Sequence, residues 1–189
     1  MSNRLVIEKI SSIEALCEVA TSEDMALVES FGSEVRRREV LAWRTVVRRE
    51  LGDKVQISYD DYGAPQVDTP DTYISVSHSK EWVAVLFSDR ECAIDIESVE
   101  RNFRNVATRY LSAEEQALAE KFDLYAELWC AKEALYKYYK KGNLDLVRDI
   151  SIVEYDGGNS NFRALILGGT PIVVNLCRQN GVVIATIGC

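Results

Sequence analysis

The segment Trp82-Val83-Ala84-Val85-Leu86-Phe87 is apolar at odd and even positions alike, and turn-forming residues bound it on both sides. A strand of this kind cannot leave one face in water, because successive side chains point to opposite faces. The fold must therefore supply cover on both sides of a sheet. A chain of 189 residues that is 47% hydrophobic can do so, as one sizeable domain or as two small half-domains sharing a core. Three prolines and the absence of any low-complexity tract predict a compact globular fold throughout.

Around this strand the pattern is mixed. Residues 4–10 read as a strand and 12–19 as a short helix or turn. From Ser22, apolar residues recur every three to five positions through Leu51. Phe31-Gly32-Ser33 divides that stretch into two helices, with Ser33 as the second N-cap and Gly52 near its end. The second helix is rich in arginine (Arg36, Arg37, Arg38, Arg44, Arg48, Arg49), which reads as a solvated face or, for a few of them, as contacts to an anion. Strands are predicted at 55–59, 73–77 and 92–97, with His78-Ser79-Lys80-Glu81 as a polar turn. Residues 106–110 read as helical, Ser112 and Glu115 form a capping box for a helix to about Phe122, and 125–140 is expected to be the longest helix. Strands at 150–155, 163–167, 172–177 and 182–187 follow, joined by glycine turns.

The formal net charge of −8 argues against nucleic-acid and anionic-membrane binding, which need a positive field. Five scattered cysteines (Cys17, Cys92, Cys130, Cys177, Cys189) show no metal-ligand or redox spacing and suit a reducing cytoplasm. The first apolar run is broken by charge too early for a signal peptide. No run approaches the roughly 20 residues of a membrane span. A cytoplasmic protein is expected.

Chemistry concentrates in two places. In Ala93-Ile94-Asp95-Ile96-Glu97 the period of two sets Asp95 and Glu97 side by side over an apolar back. Like charges so close need a cation or donors to offset them, and magnesium suits such oxygen ligands; an ordinary half-exposed strand face gives the same alternation. In Trp129-Cys130-Ala131-Lys132-Glu133-Ala134-Leu135-Tyr136-Lys137, residues Trp129, Glu133, Tyr136 and Lys137 lie on successive turns. Glu133 and Lys137 read either as a surface pair or as a third metal ligand with a phosphate contact. His78 is the only histidine, which leaves a zinc site or a histidine triad little support.

The order of three blocks resembles the 4'-phosphopantetheinyl transferase superfamily, in its longer Sfp-type branch. Ile74-Ser75-Val76-Ser77-His78-Ser79 is similar to the family's Ser-His-Ser turn, Ala93 to Glu97 to its Gly-Ile-Asp-Ile-Glu strand, and Trp129 to Lys137 to its Trp-x-x-Lys-Glu-(Ala/Ser)-x-x-Lys helix. The resemblance implies an α+β fold of two pseudosymmetric half-domains, residues 1–88 and 89–189, with the active site at their interface. It implies Asp95, Glu97 and Glu133 as ligands of Mg2+, with Mn2+ as the alternative ion. It implies coenzyme A as co-substrate, contacted by Arg44, Ser77, His78, Lys132 and Lys137. It implies Glu115 as general base toward the acceptor serine, with Glu114 as competitor, and Lys137 as a second catalytic group. The acceptor would be an apo acyl or peptidyl carrier protein, and a monomer would suffice. Ala93 stands where glycine is usual, and Ala64 where several relatives carry lysine.

Two other readings compete. A metal-dependent phosphodiesterase can use similar acids, but the net charge of −8 weighs against it. A non-catalytic module that binds coenzyme A or a carrier protein is disfavoured by the complete trio of acids.

Overall fold

The computed structural model describes residues 3–188; Met1, Ser2 and Cys189, and so part of the N-terminal segment and one of the five cysteines, lie outside the described residues. The chain forms two compact units, Met1–Arg90 and Glu91–Cys189. Both mix α and β structure. Among the described residues no helix is long and apolar enough to cross a membrane.

In the first unit the order is β1 (Arg4–Lys9), α1 (Ile13–Val19), α2 (Ser22–Glu29), α3 (Glu34–Leu51), β2 (Ile57–Tyr59), β3 (Pro65–Val67), β4 (Tyr73–Ser79) and β5 (Trp82–Ser88). The apolar strand β5 is the centre of an antiparallel sheet ordered β1-β5-β4, and Val83 to Phe87 are at most 1% exposed. One face of β5, through Val83, Val85 and Phe87, packs in a cluster with Val40, Val46 and Val47 of α3. Burying six such side chains removes the largest apolar liability of the unit, at roughly 1.5–3 kcal/mol each. Ser33 caps α3 by accepting from the Arg36 amide, and Gly52 ends it at a φ of 101°.

Two expectations are corrected here. The longest helix is α3, with 18 residues, whereas the 125–140 stretch gives one of 15; arginine is a good helix former and extends α3 past its apolar stripe. His78 is not in a turn: β4 runs through Ser79, which pairs with Trp82, so the connection is only Lys80-Glu81. The short hairpin β2–β3 adds a strand that the sequence does not signal, since Pro65-Gln66-Val67 carries a proline at its start.

The second unit runs β6 (Ala93–Ser98), a 3-10 segment (Arg104–Arg109), α4 (Ala113–Phe122), α5 (Tyr125–Tyr139), β7 (Ile150–Asp156), β8 (Asn161–Ile166), β9 (Ile172–Gln179) and β10 (Val182–Ile187). Its sheet is antiparallel, ordered β6-β10-β9-β8-β7. Helix α5 lies on β6 and β10. Small residues set that approach: Ala131 and Ala134 of α5 share a core with Ala93 and Ala185 of the two strands, all four fully buried. Ala93 needs no glycine-like conformation. Gly188 does: its φ is 82°, and a Cβ there would stand 2.2 Å from the Glu91 carbonyl oxygen, so the chain leaves β10 directly over the start of β6 only because the side chain is absent.

Each unit thus runs one strand, three helical segments and four strands. In each, the first strand pairs antiparallel with the last.

Candidate functional site

On β6, Asp95 lies opposite Ala185 and Glu97 opposite Val183, on the side chain face they share with Ala93. This is not an exposed strand face. Asp95 is 6% exposed and Glu97 is half-buried. Carboxylates enter such a place only with cations or donors around them.

Helix α5 supplies one. Lys137 donates from Nζ to Asp95 Oδ1 at 2.8 Å and to the Ile94 carbonyl at 3.0 Å. One turn earlier, Glu133 has its pKa raised, first by burial and then by the charges of Asp95 and Glu97, while Lys137 and Arg101 pull it down. The buried Cys130 thiol is pushed well up by burial and by the same two carboxylates. Strand and helix therefore bring Asp95, Glu97, Glu133 and Lys137 into one electrostatic neighbourhood.

The donor set is all carboxylate oxygen, which fits a hard divalent cation. The repulsion that Asp95 and Glu97 exert on Glu133 is what such an ion would relieve. As the side chains lie, two of the three acids are paired with the protein's own cations, Asp95 with Lys137 and Glu97 with Arg101 at 2.6 Å. Among the described residues no three His, Cys, Asp or Glu side chains already stand together as a metal cage. The residues fit the ion by chemistry and charge, with side chains turned toward internal partners.

Three expected site residues are placed elsewhere. Lys132 is fully buried, and its ammonium donates to Glu115 Oε2 at 2.6 Å, the Leu146 carbonyl at 2.7 Å and the Ile150 carbonyl at 2.9 Å. An ammonium has three N–H bonds, so none is left for a phosphate. Glu115 is 3% exposed. It accepts from the Ser112 amide at 2.8 Å as the capping box requires, from Lys132, and on Oε1 from the Ile152 amide at 2.8 Å. This pair ties the start of α4, the middle of α5 and strand β7 together.

Arg44 is the third. Its side chain is 2% exposed and its Nε donates to Asp24, with Nη2 on Glu23 at 3.1 Å. Arg48 binds the same Asp24 at 2.6 Å and also holds the Asp53 and Val55 carbonyls, each at 2.9 Å. Burial pushes the Asp24 pKa up, but the hydrogen bonds from Arg48, Arg44 and Thr21 prevail and hold it at about 2. The folded value lies below the ordinary 3.8. This contribution is therefore complete above about pH 4 and disappears as pH falls through about 2, a loss of about 2 kcal/mol. Urea unfolding measured from pH 5 to pH 2 is expected to show that slope, and Asp24→Asn, less stable throughout, is expected to flatten it.

In the first unit, Ser77 is buried on β4 opposite Ala84. His78 is half-exposed and faces α3, with Nδ1 3.2 Å from Glu39 Oε1 and Nε2 3.3 Å from Arg36 Nη1. Arginine can only donate and an unprotonated carboxylate can only accept, so the contacts fix the tautomer with its proton on Nδ1. Arg36, 55% exposed, and Glu39 were not singled out by sequence reasoning beyond the arginine-rich helix. Arg101 reads from sequence, with Arg104 and Arg109, as local positive charge for a carrier protein; its place beside Glu97 was not read, although the spacing of four was visible.

An acidic edge strand held against a Lys-Glu-bearing helix in an α+β unit defines the class of site. The chain belongs to the 4'-phosphopantetheinyl transferase superfamily, whose family model matches residues 91–187. It is 28% identical over 109 residues to a 4'-phosphopantetheinyl transferase of Bacillus subtilis, covering 52% of this chain and 49% of that protein. It is 29% identical over 144 residues to the 4'-phosphopantetheinyl transferase psf-1 of Bacillus pumilus, covering 69% and 62% respectively. With the 4'-phosphopantetheinyl transferase gsp of Aneurinibacillus migulanus the identity is 32% over 89 residues, 44% of this chain and 37% of the relative. The matched region spans less than two thirds of each relative's length.

Proposed function

We propose that this protein transfers the 4'-phosphopantetheine group of coenzyme A to a serine of an apo acyl or peptidyl carrier protein, in a Mg2+-dependent reaction that releases 3',5'-ADP. The observation that carries the reading is the contact of Lys137 on α5 with Asp95 on β6, with Glu133 and Glu97 in the same field of charge. The family membership and the names of the relatives support it.

In this reading Asp95, Glu97 and Glu133 hold Mg2+. The ion, when bound, supplies Lewis-acid stabilisation of the pyrophosphate and of the leaving 3',5'-ADP. Lys137 exchanges its carboxylate partner for a pyrophosphate oxygen and orients it. The acceptor serine oxygen forms a bond to the phosphorus bearing the pantetheine arm, the bond from that phosphorus to 3',5'-ADP breaks, and the serine proton leaves through water. Glu115 and Lys132 act by holding α4, α5 and β7 in place, because each is already saturated by internal partners. Ser77 and His78 contact the nucleotide end of coenzyme A. There Arg36, exposed beside His78, takes the role first expected of the buried Arg44.

The shared order of strand, three helical segments and four strands supports a further part of the reading, that the two units are related half-domains.

The test is to incubate the purified protein with coenzyme A, Mg2+ and a panel of apo carrier proteins of fatty-acid, polyketide and nonribosomal-peptide type, and to weigh each carrier. Addition of one phosphopantetheine to at least one carrier is the expected result. No addition to any member of the panel rejects the proposal.

A further inference from the structure

Arg101 follows β6 by three residues and donates from Nη1 to Glu97 Oε1 at 2.6 Å. Its guanidinium is not a loose surface charge. It lies 4.9 Å from the ring centroid of Phe103 and 5.3 Å from that of Trp129, and those two rings are themselves packed at 5.5 Å. Trp129 is further braced edge-on by the buried Tyr110 at 5.0 Å. A cation over aromatic faces gains about 0.5–1 kcal/mol at exposed sites, and a preorganised planar fork loses less freedom per hydrogen bond than a lysine would.

The consequence lies in what this links. Trp129 stands one helical turn before Glu133 on α5, while Glu97 is on β6. Arg101 bridges the strand acid to the ring beside the helix acid.

We infer that Arg101 is a positioning residue for the proposed metal site, tethering the Glu97 carboxylate beside α5, from where a divalent cation draws it over. The inference rests on the reading of Asp95, Glu97 and Glu133 as metal ligands. Donors that orient a ligating carboxylate contribute about 10–100-fold to metal affinity. Arg104 is the natural control, because it lines the same cleft and stacks on Tyr125 yet pairs with Glu120, away from the acids.

Mn2+ binding by isothermal titration to the whole protein tests this without any carrier or coenzyme A. Arg101→Ala is expected to weaken Mn2+ at least about 10-fold, with a thermal midpoint within about 2 °C of wild type because the side chain is half-exposed. Arg104→Ala is expected to bind Mn2+ as wild type does. Unchanged binding in Arg101→Ala overturns the inference, and so does tighter binding, which would make Arg101 a competitor for Glu97. Equal weakening by Arg104→Ala also overturns it, as a general loss of field. Wild-type protein that takes up no Mn2+ instead overturns the metal reading itself.

Discussion

Lys132→Ala is expected to destabilise the protein by about 3–5 kcal/mol, the cost of leaving a buried carboxylate without its cation. Three oxygens lose a donor at once: Glu115 Oε2 and the carbonyls of Leu146 and Ile150. Glu115 is nearly inaccessible to water, so solvent cannot replace the ammonium. The pair Lys132→Met with Glu115→Gln is expected to recover a large part of the loss, since replacing both members of a buried ion pair is often close to neutral. Urea unfolding of Lys132→Met, of Glu115→Gln and of the double variant measures the coupling directly. A loss below about 1 kcal/mol in Lys132→Ala would mean that this ammonium is not the internal tie described.

Asp95→Ala is expected to lower transfer by at least about 100-fold while the fold persists. The two outcomes separate because Lys137, the partner of Asp95, is 33% exposed and can be solvated when the carboxylate is removed. Asp95 itself takes a position on β6 that alanine can occupy, opposite Ala185. Circular dichroism and the thermal midpoint should remain near wild type. Turnover near the wild-type rate in that variant would remove Asp95 from the site.

The parts of this structure that were legible in the sequence are those encoded by local period and capping. The alternation in Ala93 to Glu97 gave the acidic face of β6, Ser33 and Gly52 gave both ends of α3, and Ser112 with Glu115 gave the capping box. What sequence could not give are partners far apart in the chain. Lys132 and Glu115 are 17 residues apart and Arg44 and Asp24 are 20 apart. In both cases a charged residue, by type an exposed one, is buried because a distant stretch of chain brings it opposite charge. Helical spacing placed Lys132 beside Glu133 in sequence but could not say that one turns into the core and the other toward β6. His78 was read as a turn residue because polar neighbours follow it; its pairing with Val83 extends the strand past that signal. The family resemblance supplied roles for Arg44, Lys132 and Glu115 that burial and saturation redirect to internal support. It names the acids Asp95, Glu97 and Glu133 as ligands, which is the proposal made above; the structure adds their electrostatic coupling, carried by the packing of α5 on β6.

The central claim is that these acids make a metal-dependent transfer site. The direct test is the intact mass of a modifiable apo carrier after incubation with the protein and coenzyme A, once with Mg2+ and once with excess EDTA. The account predicts phosphopantetheine addition with Mg2+ and none with EDTA. Addition at the same rate in both would contradict it.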